Sequence, residues 1–226
     1  MEELFDRIYL SFIAESRWKF FVEGLGMTLL LTAVSFIVGS LLGAAFCALK
    51  LSRRSWIRKA TNAFISFLVQ IPTLVLLMLS AYVLFGETSL PVTVIVIFGL
   101  TLKAGSYIAE IFYTAVTAVN SGEVEAAHTL GLSRIQVFRY ITLPQSITSA
   151  LPVYKNQFVI TLQETAIVGY LAIMDLTRAS DVVTSRTYDA LFGLIVVSVL
   201  YLLIGYLGNS LLSLLGHTKH LGGDQA

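Results

Sequence analysis

The sequence predicts an all-α integral membrane protein with five transmembrane helices, and two observations support this fold class. The chain of 226 residues is 56% hydrophobic and only 13% charged, with a mean hydropathy of +0.81, whereas soluble domains carry roughly 25% charged residues. Long stretches without Lys, Arg, Asp or Glu are the second observation: Gly24–Leu49, Ala60–Gly86 and Ala190–Thr218. Each exceeds the roughly 20 residues that cross a bilayer. A net charge of +1 gives no reason to expect a nucleic-acid partner.

Two further spans are interrupted by charged residues. One runs from Val92 to about Val119 and contains Lys103 and Glu110, and the other runs over 150–174 and contains Lys155 and Glu164. The predicted organisation is a single transmembrane domain, 20–215, between an N-terminal segment, 1–19, and a tail, 216–226. Its five spans lie at about 24–49, 60–86, 92–119, 150–174 and 190–215.

Charges in the loops predict the orientation of these spans. Five basic residues, Lys50, Arg53, Arg54, Arg58 and Lys59, lie between the first two spans, whereas the next turn, 87–91, has none. Because basic loops stay in the cytoplasm, the loop over 50–59 is expected there. The N-terminus is then outside, the 120–148 loop and the C-terminal tail are cytoplasmic, and the 175–189 loop is outside.

The N-terminal segment carries apolar residues at nearly helical spacing, Leu4, Phe5, Ile8 and Phe12. This pattern is typical of a short amphipathic helix on the membrane surface. A frayed terminus is an open alternative. The segment is also acidic and lacks a long apolar stretch, so it does not have the pattern of a secretory signal.

Small residues line one face of the first span. Ser35, Gly39 and Gly43 are spaced four apart, which places them on one side of a helix, where another helix can approach closely. The sequence leaves open whether that helix belongs to this chain or to another subunit.

The 120–148 loop carries the signals of two short helices. Asn120, with Glu123 three residues later, is expected to cap the first, and Gly131 suits the left-handed position that ends it. Ser133 and Gln136 form the pattern of a capping box for the second, which Pro144 is expected to end.

Apolar residues on these helices indicate either a docking surface or a self-packed loop. Ala126, Ala127 and Leu130 lie on the first helix, and larger side chains, Ile135, Phe138 and Ile141, lie on the second. The spacing alone does not separate the two interpretations.

The same loop resembles the EAA motif of ATP-binding-cassette (ABC) importer permeases. The matching residues are Glu125, Ala126, Ala127, Gly131, Leu143 and Pro144. In that family the loop helices dock into a groove of an ATP-binding subunit, so the resemblance implies that these six residues couple transport to ATP hydrolysis. The 106–111 segment, Ser-Tyr-Ile-Ala-Glu-Ile, is similar to the polar amino-acid branch, and the likeness extends over roughly 20–215.

Three positions depart from the pattern of that family. An Arg-Gly-Thr-Pro segment is usual at the second span, where this chain has Val69-Gln70-Ile71-Pro72 and keeps only the proline. An arginine usually follows the third-span glutamate, where this chain has Tyr113, and a lysine is usual at Gln163. These changes bear on the substrate rather than on the class of protein.

Charged residues inside spans are costly and usually face a polar cavity or a partner. Glu164, Gln163 and Thr165 together offer a carboxylate, an amide and a hydroxyl, which could hold the ammonium of an amino acid. Lys103 could hold its carboxylate or form an ion pair with Glu164. These four residues, with Glu110 and Pro72, are the candidate substrate pathway, whereas Lys155 is expected to extend to the membrane surface.

The resemblance also implies the partners. The chain has no Gly-x-x-x-x-Gly-Lys-Ser/Thr motif, so ATP and Mg²⁺ are expected to be used by a separate ATP-binding subunit, present in two copies. A second permease, identical or a sister chain, an extracytoplasmic substrate-binding protein and membrane lipid complete the set in a bacterial-type inner membrane. One cysteine, Cys47, excludes a cysteine metal cluster, and no catalytic site is expected. An ion-coupled carrier or channel is the alternative.

Overall fold

The computed structural model describes residues 9–216, and all regular elements in that range are helical. A short π-helical turn and a 3-10 turn, Tyr9–Ile13 and Ala14–Ser16, precede nine α-helices. Their bounds are α1 Trp18–Lys50, α2 Ser55–Gln70, α3 Thr73–Leu79, α4 Val92–Thr117, α5 Ser121–Thr129, α6 Arg134–Val137, α7 Leu143–Glu164, α8 Leu176–Thr187 and α9 Ala190–Gly216.

Three of these helices, α1, α4 and α9, are long and apolar enough to cross a membrane, and two bent pairs raise the number to as many as five. The first, third and last predicted spans therefore correspond to single helices. The N-terminal prediction is only partly covered, because Leu4, Phe5 and Ile8 lie outside the described residues, as does most of the 216–226 tail. Phe12 is described, and its ring stacks on Phe21 at 5.1 Å between centroids.

The second predicted span, 60–86, is not one straight helix but falls on a bent pair of helices. The chain breaks between α2 and α3, which meet at an angle of 108°. Pro72 lies at this break and lacks the N–H that would continue the hydrogen bonding of α2. We call the Ile71–Pro72 junction the span break.

The prediction that Pro144 ends the second loop helix was wrong. A π-helical turn, Phe138–Thr142, connects α6 to α7, and one helix continues through a 3-10 turn, Thr165–Leu171. Pro144 is the second residue of α7, where a wider turn precedes it and a helix tolerates a residue without an N–H. Ala172, with a φ of 61°, ends the helix.

A helix, α8, occupies most of the segment predicted as the 175–189 loop. Asp175 caps it by accepting hydrogen bonds from the backbone N–H groups of Thr177 and Arg178, each at 3.0 Å. The N–H of Leu176 donates to Thr28 Oγ1 at 3.1 Å, which fixes the start of α8 against α1. An Asp before an amphipathic stretch was the signal for this helix.

Close packing of α1 on α4 forms the centre of the molecule. A Cβ placed on Gly43 would lie 2.7 Å from Ile108 Cγ2, and one on Gly39 would lie 3.1 Å from the Cβ of Ala104. Gly105 contributes the matching small surface on α4. The small face of the first span therefore packs within the chain, which settles the alternative that the sequence left open.

Candidate functional site: an exposed helical loop and a broken span

The first loop helix, α5, begins as predicted at Asn120. Asn120 Oδ1 accepts a hydrogen bond from the backbone N–H of Gly122 at 2.9 Å. Glu123 does not complete a capping box, because its carboxylate accepts instead from Gln145 Nε2 at 2.6 Å. This bond joins α5 to the start of α7 and holds the two ends of the loop together.

The turn between α5 and α6 also follows the prediction. Gly131 has a φ of +86°, a conformation that glycine adopts without the steric cost that a Cβ would add. Ser133 and Gln136 form the capping box, with Ser133 N donating to Gln136 Oε1 at 2.8 Å and Gln136 N donating to Ser133 Oγ at 3.4 Å.

Large apolar side chains of the loop face outward. Leu130 and Ile135 are each 80% exposed, so the loop does not bury these residues on itself. Glu125 and Ala126 are exposed, as are Leu143 and Pro144, whereas Ala127 is buried. A shallow groove of about 380 Å³ crosses this surface and is lined by Glu123, Ala126, Ala127, Leu130, Tyr140, Ile141, Pro144 and Gln145. Exposed apolar residues on capped, rigid helices are typical of a partner surface.

The span break leaves carbonyl groups of α2 without their usual helical partners. Pro72 has no N–H to donate to the carbonyl of Leu68 four residues earlier, and the 108° bend carries the following residues away from α2. In a bilayer such groups must be satisfied within the protein.

Lys103 of α4 supplies these hydrogen bonds. Its Nζ donates to the carbonyl oxygens of Leu68 and Val69, each at 2.9 Å, and of Ile71 at 2.5 Å. The three N–H groups of the ammonium are all used, and the ring centroid of Tyr107 lies 5.4 Å from Nζ. Lys103 is 2% exposed. These bonds take the place of the ion pair with Glu164 that the sequence offered as one alternative.

Glu164 lies on the other side of the span break. Its Oε1 accepts a hydrogen bond from Thr73 Oγ1 at 2.8 Å, and its Oε2 is buried without a hydrogen-bond partner. Thr73 directly follows Pro72, which is why the break brings it to the carboxylate. Sequence reasoning missed Thr73, and its position after a proline inside an apolar span was the signal that could have found it.

Gln163 and Thr165 do not join Glu164 in one site. Thr165 is fully buried and donates to the carbonyl of Leu162 at 2.7 Å. Gln163 faces a cavity of about 390 Å³ between α7 and α9, lined by Val159, Leu162, Gln163, Tyr201, Leu202, Gly205, Tyr206 and Asn209. Of the predicted pathway residues, the structure gathers Pro72, Lys103 and Glu164 around the break.

Glu110 pairs with a residue that the sequence had assigned only to the basic loop. Lys50 Nζ lies 2.6 Å from Glu110 Oε1 and 4.3 Å from the ring centroid of Tyr113. Tyr113, where the resemblance had led us to expect an arginine, thus places its ring beside the ammonium of Lys50. Lys155, expected to extend to the membrane surface, donates instead to Ser213 Oγ at 3.0 Å.

The described residues contain no group of three or more His, Cys, Asp or Glu side chains that could hold a metal ion. What they do contain is a bundle of membrane helices with a buried charged break and an exposed two-helix loop. These features define the class as a membrane-embedded protein that presents a helical surface to a partner.

The chain belongs to the family described as binding-protein-dependent transport system inner membrane component, which matches residues 35–218. It is therefore a membrane component of a bacterial ABC importer, as the sequence resemblance had predicted. The alternative of an ion-coupled carrier or channel receives no support.

Individual relatives agree with this family. The chain is 30% identical to the probable amino-acid ABC transporter permease protein YckA of Bacillus subtilis, covering 86% of each chain. It is also 30% identical to the histidine/lysine/arginine/ornithine transport system permease protein HisM of Salmonella typhimurium, covering 91% of this chain and 92% of HisM. A solved amino acid ABC transporter with histidines matches with a TM-score of 0.80 and 31% identity, over 90% of this chain and 96% of that one.

Proposed function

We propose that this chain is the permease subunit of an ATP-driven importer that moves a polar or charged amino acid, or a related compound, across the inner membrane by alternating access. The observation that carries the proposal is the 120–148 loop, whose capped helices leave Leu130 and Ile135 each 80% exposed. Such a surface needs a partner to cover it. The relatives named as amino-acid permeases support the class of cargo.

In the proposed topology each bent pair counts as one span, giving five spans within the 20–215 domain. The basic residues over 50–59 favour a cytoplasmic position for that loop. The 120–148 loop and the C-terminal tail then lie in the cytoplasm, and the N-terminus and α8 lie outside.

The proposed assembly has two copies of an ATP-binding subunit, which use ATP and Mg²⁺, and a second permease that is identical or a sister chain. The 120–148 loop contacts the ATP-binding subunit through Glu125, Ala126 and the groove beside Pro144. An extracytoplasmic substrate-binding protein delivers the cargo. Membership of a binding-protein-dependent family supports these kinds of partner.

The proposed substrate pathway passes the span break. Glu164 Oε2, buried and without a hydrogen-bond partner, is the group that would receive a cationic group of the cargo. Thr73 holds the other carboxylate oxygen and so fixes the direction of the free one. Gln163 faces the cavity beside α9, and Glu110 is occupied by Lys50, so neither is given a cargo contact.

Co-purification tests the proposed coupling. The tagged chain is expressed with its candidate ATP-binding subunit, as wild type and as Glu125→Lys. Asp181→Lys, which reverses the charge of an exposed residue of α8 in the same way, is the matched control. We expect wild type and Asp181→Lys to capture the subunit and Glu125→Lys to lose it. Equal capture by all three, or no capture by an inserted wild-type chain, would contradict docking through this loop.

A further inference from the structure

The carbonyl oxygens of Leu68, Val69 and Ile71, which we call the carbonyl cage, form a site for an ammonium ion. They converge at the end of α2 because Pro72 and the 108° bend remove the helical donors that would have met them. Three converging carbonyl oxygens in a low-dielectric environment match the three N–H groups of a primary ammonium.

The aromatic ring of Tyr107 adds to this site. Its centroid lies 5.4 Å from Lys103 Nζ, within the distance at which a ring face attracts a cation. Its hydroxyl donates to the carbonyl of Val69 at 3.4 Å and so helps to orient that acceptor. The cage therefore combines hydrogen-bond acceptors with an aromatic face, as expected for recognition of an amine.

Lys103 fills the cage from within the chain. Each of its three N–H groups meets one carbonyl, at 2.9, 2.9 and 2.5 Å. Gln70 and Pro72, which border the cage, are exposed, so the buried cage lies next to the surface of this chain.

We infer that Lys103 is a specificity-determining residue, because its ammonium occupies a site that would otherwise take a primary amino group from solution. While Lys103 is in the cage, a cationic group of the cargo is left with Glu164 Oε2 as its acceptor. The cage itself is a property of this chain, whereas its effect on cargo choice rests on the proposed function. Removing the Lys103 side chain opens the cage to a small primary ammonium ion.

Thermal unfolding of the purified chain in lipid nanodiscs tests this inference without any transport. Wild type and Lys103→Ala, whose side chain ends at Cβ and leaves room for a propyl group, are compared in n-propylammonium chloride and in tetramethylammonium chloride, which carries the same charge but no N–H. We expect Lys103→Ala to melt below wild type and propylammonium to raise its Tm by about 2–4 °C. Tetramethylammonium is expected to have no effect on Lys103→Ala, and neither salt is expected to shift wild type.

A rise with both salts would reveal a general charge effect, and no rise with propylammonium would show that the cage binds no free amine. Either result overturns the inference. Thr101→Val, at another buried position of α4, controls for the loss of a polar group and should not respond to propylammonium.

Lys103→Ser decides the matter if Lys103→Ala does not fold. Its short side chain also leaves room for the propyl group, and its one O–H can meet at most one of the three carbonyls. A smaller but saturable propylammonium response is expected, and no response would overturn the inference. Because the ATP-binding subunit is absent, a failure of the importer proposal would leave these results unchanged.

Discussion

The span break and the 120–148 loop differ in how their energetically unfavourable groups are satisfied. At the break, polar backbone carbonyls are buried, and Lys103 satisfies them within the chain. On the loop, Leu130 and Ile135 remain exposed, and only another molecule can cover them. The first arrangement stabilises the isolated subunit, whereas the second becomes favourable only on assembly. Substitutions in the two regions should therefore separate folding from partner binding.

The largest effect is expected at the break. In Lys103→Met the cage loses its donors, and each buried carbonyl left unpaired costs about 1–3 kcal/mol. The Tm in nanodiscs should fall sharply, while the folded fraction still captures the ATP-binding subunit. Thr101→Val should melt near wild type. A Lys103→Met chain as stable as wild type would show that the cage contributes nothing to folding.

Substitutions in the 120–148 loop should leave stability nearly unchanged and weaken capture of the ATP-binding subunit. Leu130→Asp combined with Ile135→Asp replaces two exposed apolar side chains. The free energy of unfolding should therefore change by no more than about 0.5 kcal/mol. Capture of the ATP-binding subunit should weaken by about 2 kcal/mol or more, the scale of an interface hot spot. Tyr188→Asp, at an exposed residue that ends α8, is the control. Full capture by the double variant would contradict a docking role for these residues.

Glu164, beside the span break, can be compared with its neighbour Gln163, which faces a different cavity. Glu164→Gln keeps an acceptor for Thr73 but removes the charge, and hydrogen bonds to charged groups contribute about 1.5–3 kcal/mol. Uptake of a cationic amino acid by proteoliposomes of the full importer should therefore fall about tenfold or more. Gln163→Asn, which alters the neighbouring side chain in a different cavity, should transport normally. A similar loss in both variants would remove the special role of Glu164.

The smallest expected effect isolates backbone conformation in the loop. A Cβ would meet nothing within 4 Å at either Gly131 or Gly26, but only Gly131 has a positive φ. Gly131→Ala should lose roughly 1–2 kcal/mol of loop stability, whereas Gly26→Ala, inside a helix, should gain roughly 0.5–1 kcal/mol. Hydrogen exchange over 120–137 and Tm measurements would detect these changes. Equal behaviour of the two variants would mean that the turn relaxes without cost.

Local signals predicted the first residues of the two loop helices and the turn between them, but not the role of Pro144, which lies inside a continuing helix. Asn120, Gly131 and the Ser133–Gln136 capping box act within a few residues of chain, so their roles follow from spacing alone. The uncharged stretches likewise predicted α1 and α9, and α4 was predicted as a span interrupted by Lys103 and Glu110.

The contacts at the break could not be predicted in the same way. The sequence analysis placed no bend at Pro72, and the 108° angle and the capture of three carbonyls by Lys103 depend on how α2, α3 and α4 pack. The pairing of Lys50 with Glu110 also joins residues far apart in the chain. Composition showed that buried charges needed partners and did not show which partners they have.

The contact between α1 and α4 has a mechanical consequence. Gly39 and Gly43 bring the two backbones together along the bundle, and the Lys50–Glu110 pair ties them again near the end of α1. Helices held together at two places are expected to move as one body. Because α5 follows α4 after a short turn, we expect a force on the 120–148 loop to reach both spans at once. Lys103 of α4 also bonds to the span break, so the same displacement is expected to reach the carbonyls of Leu68, Val69 and Ile71.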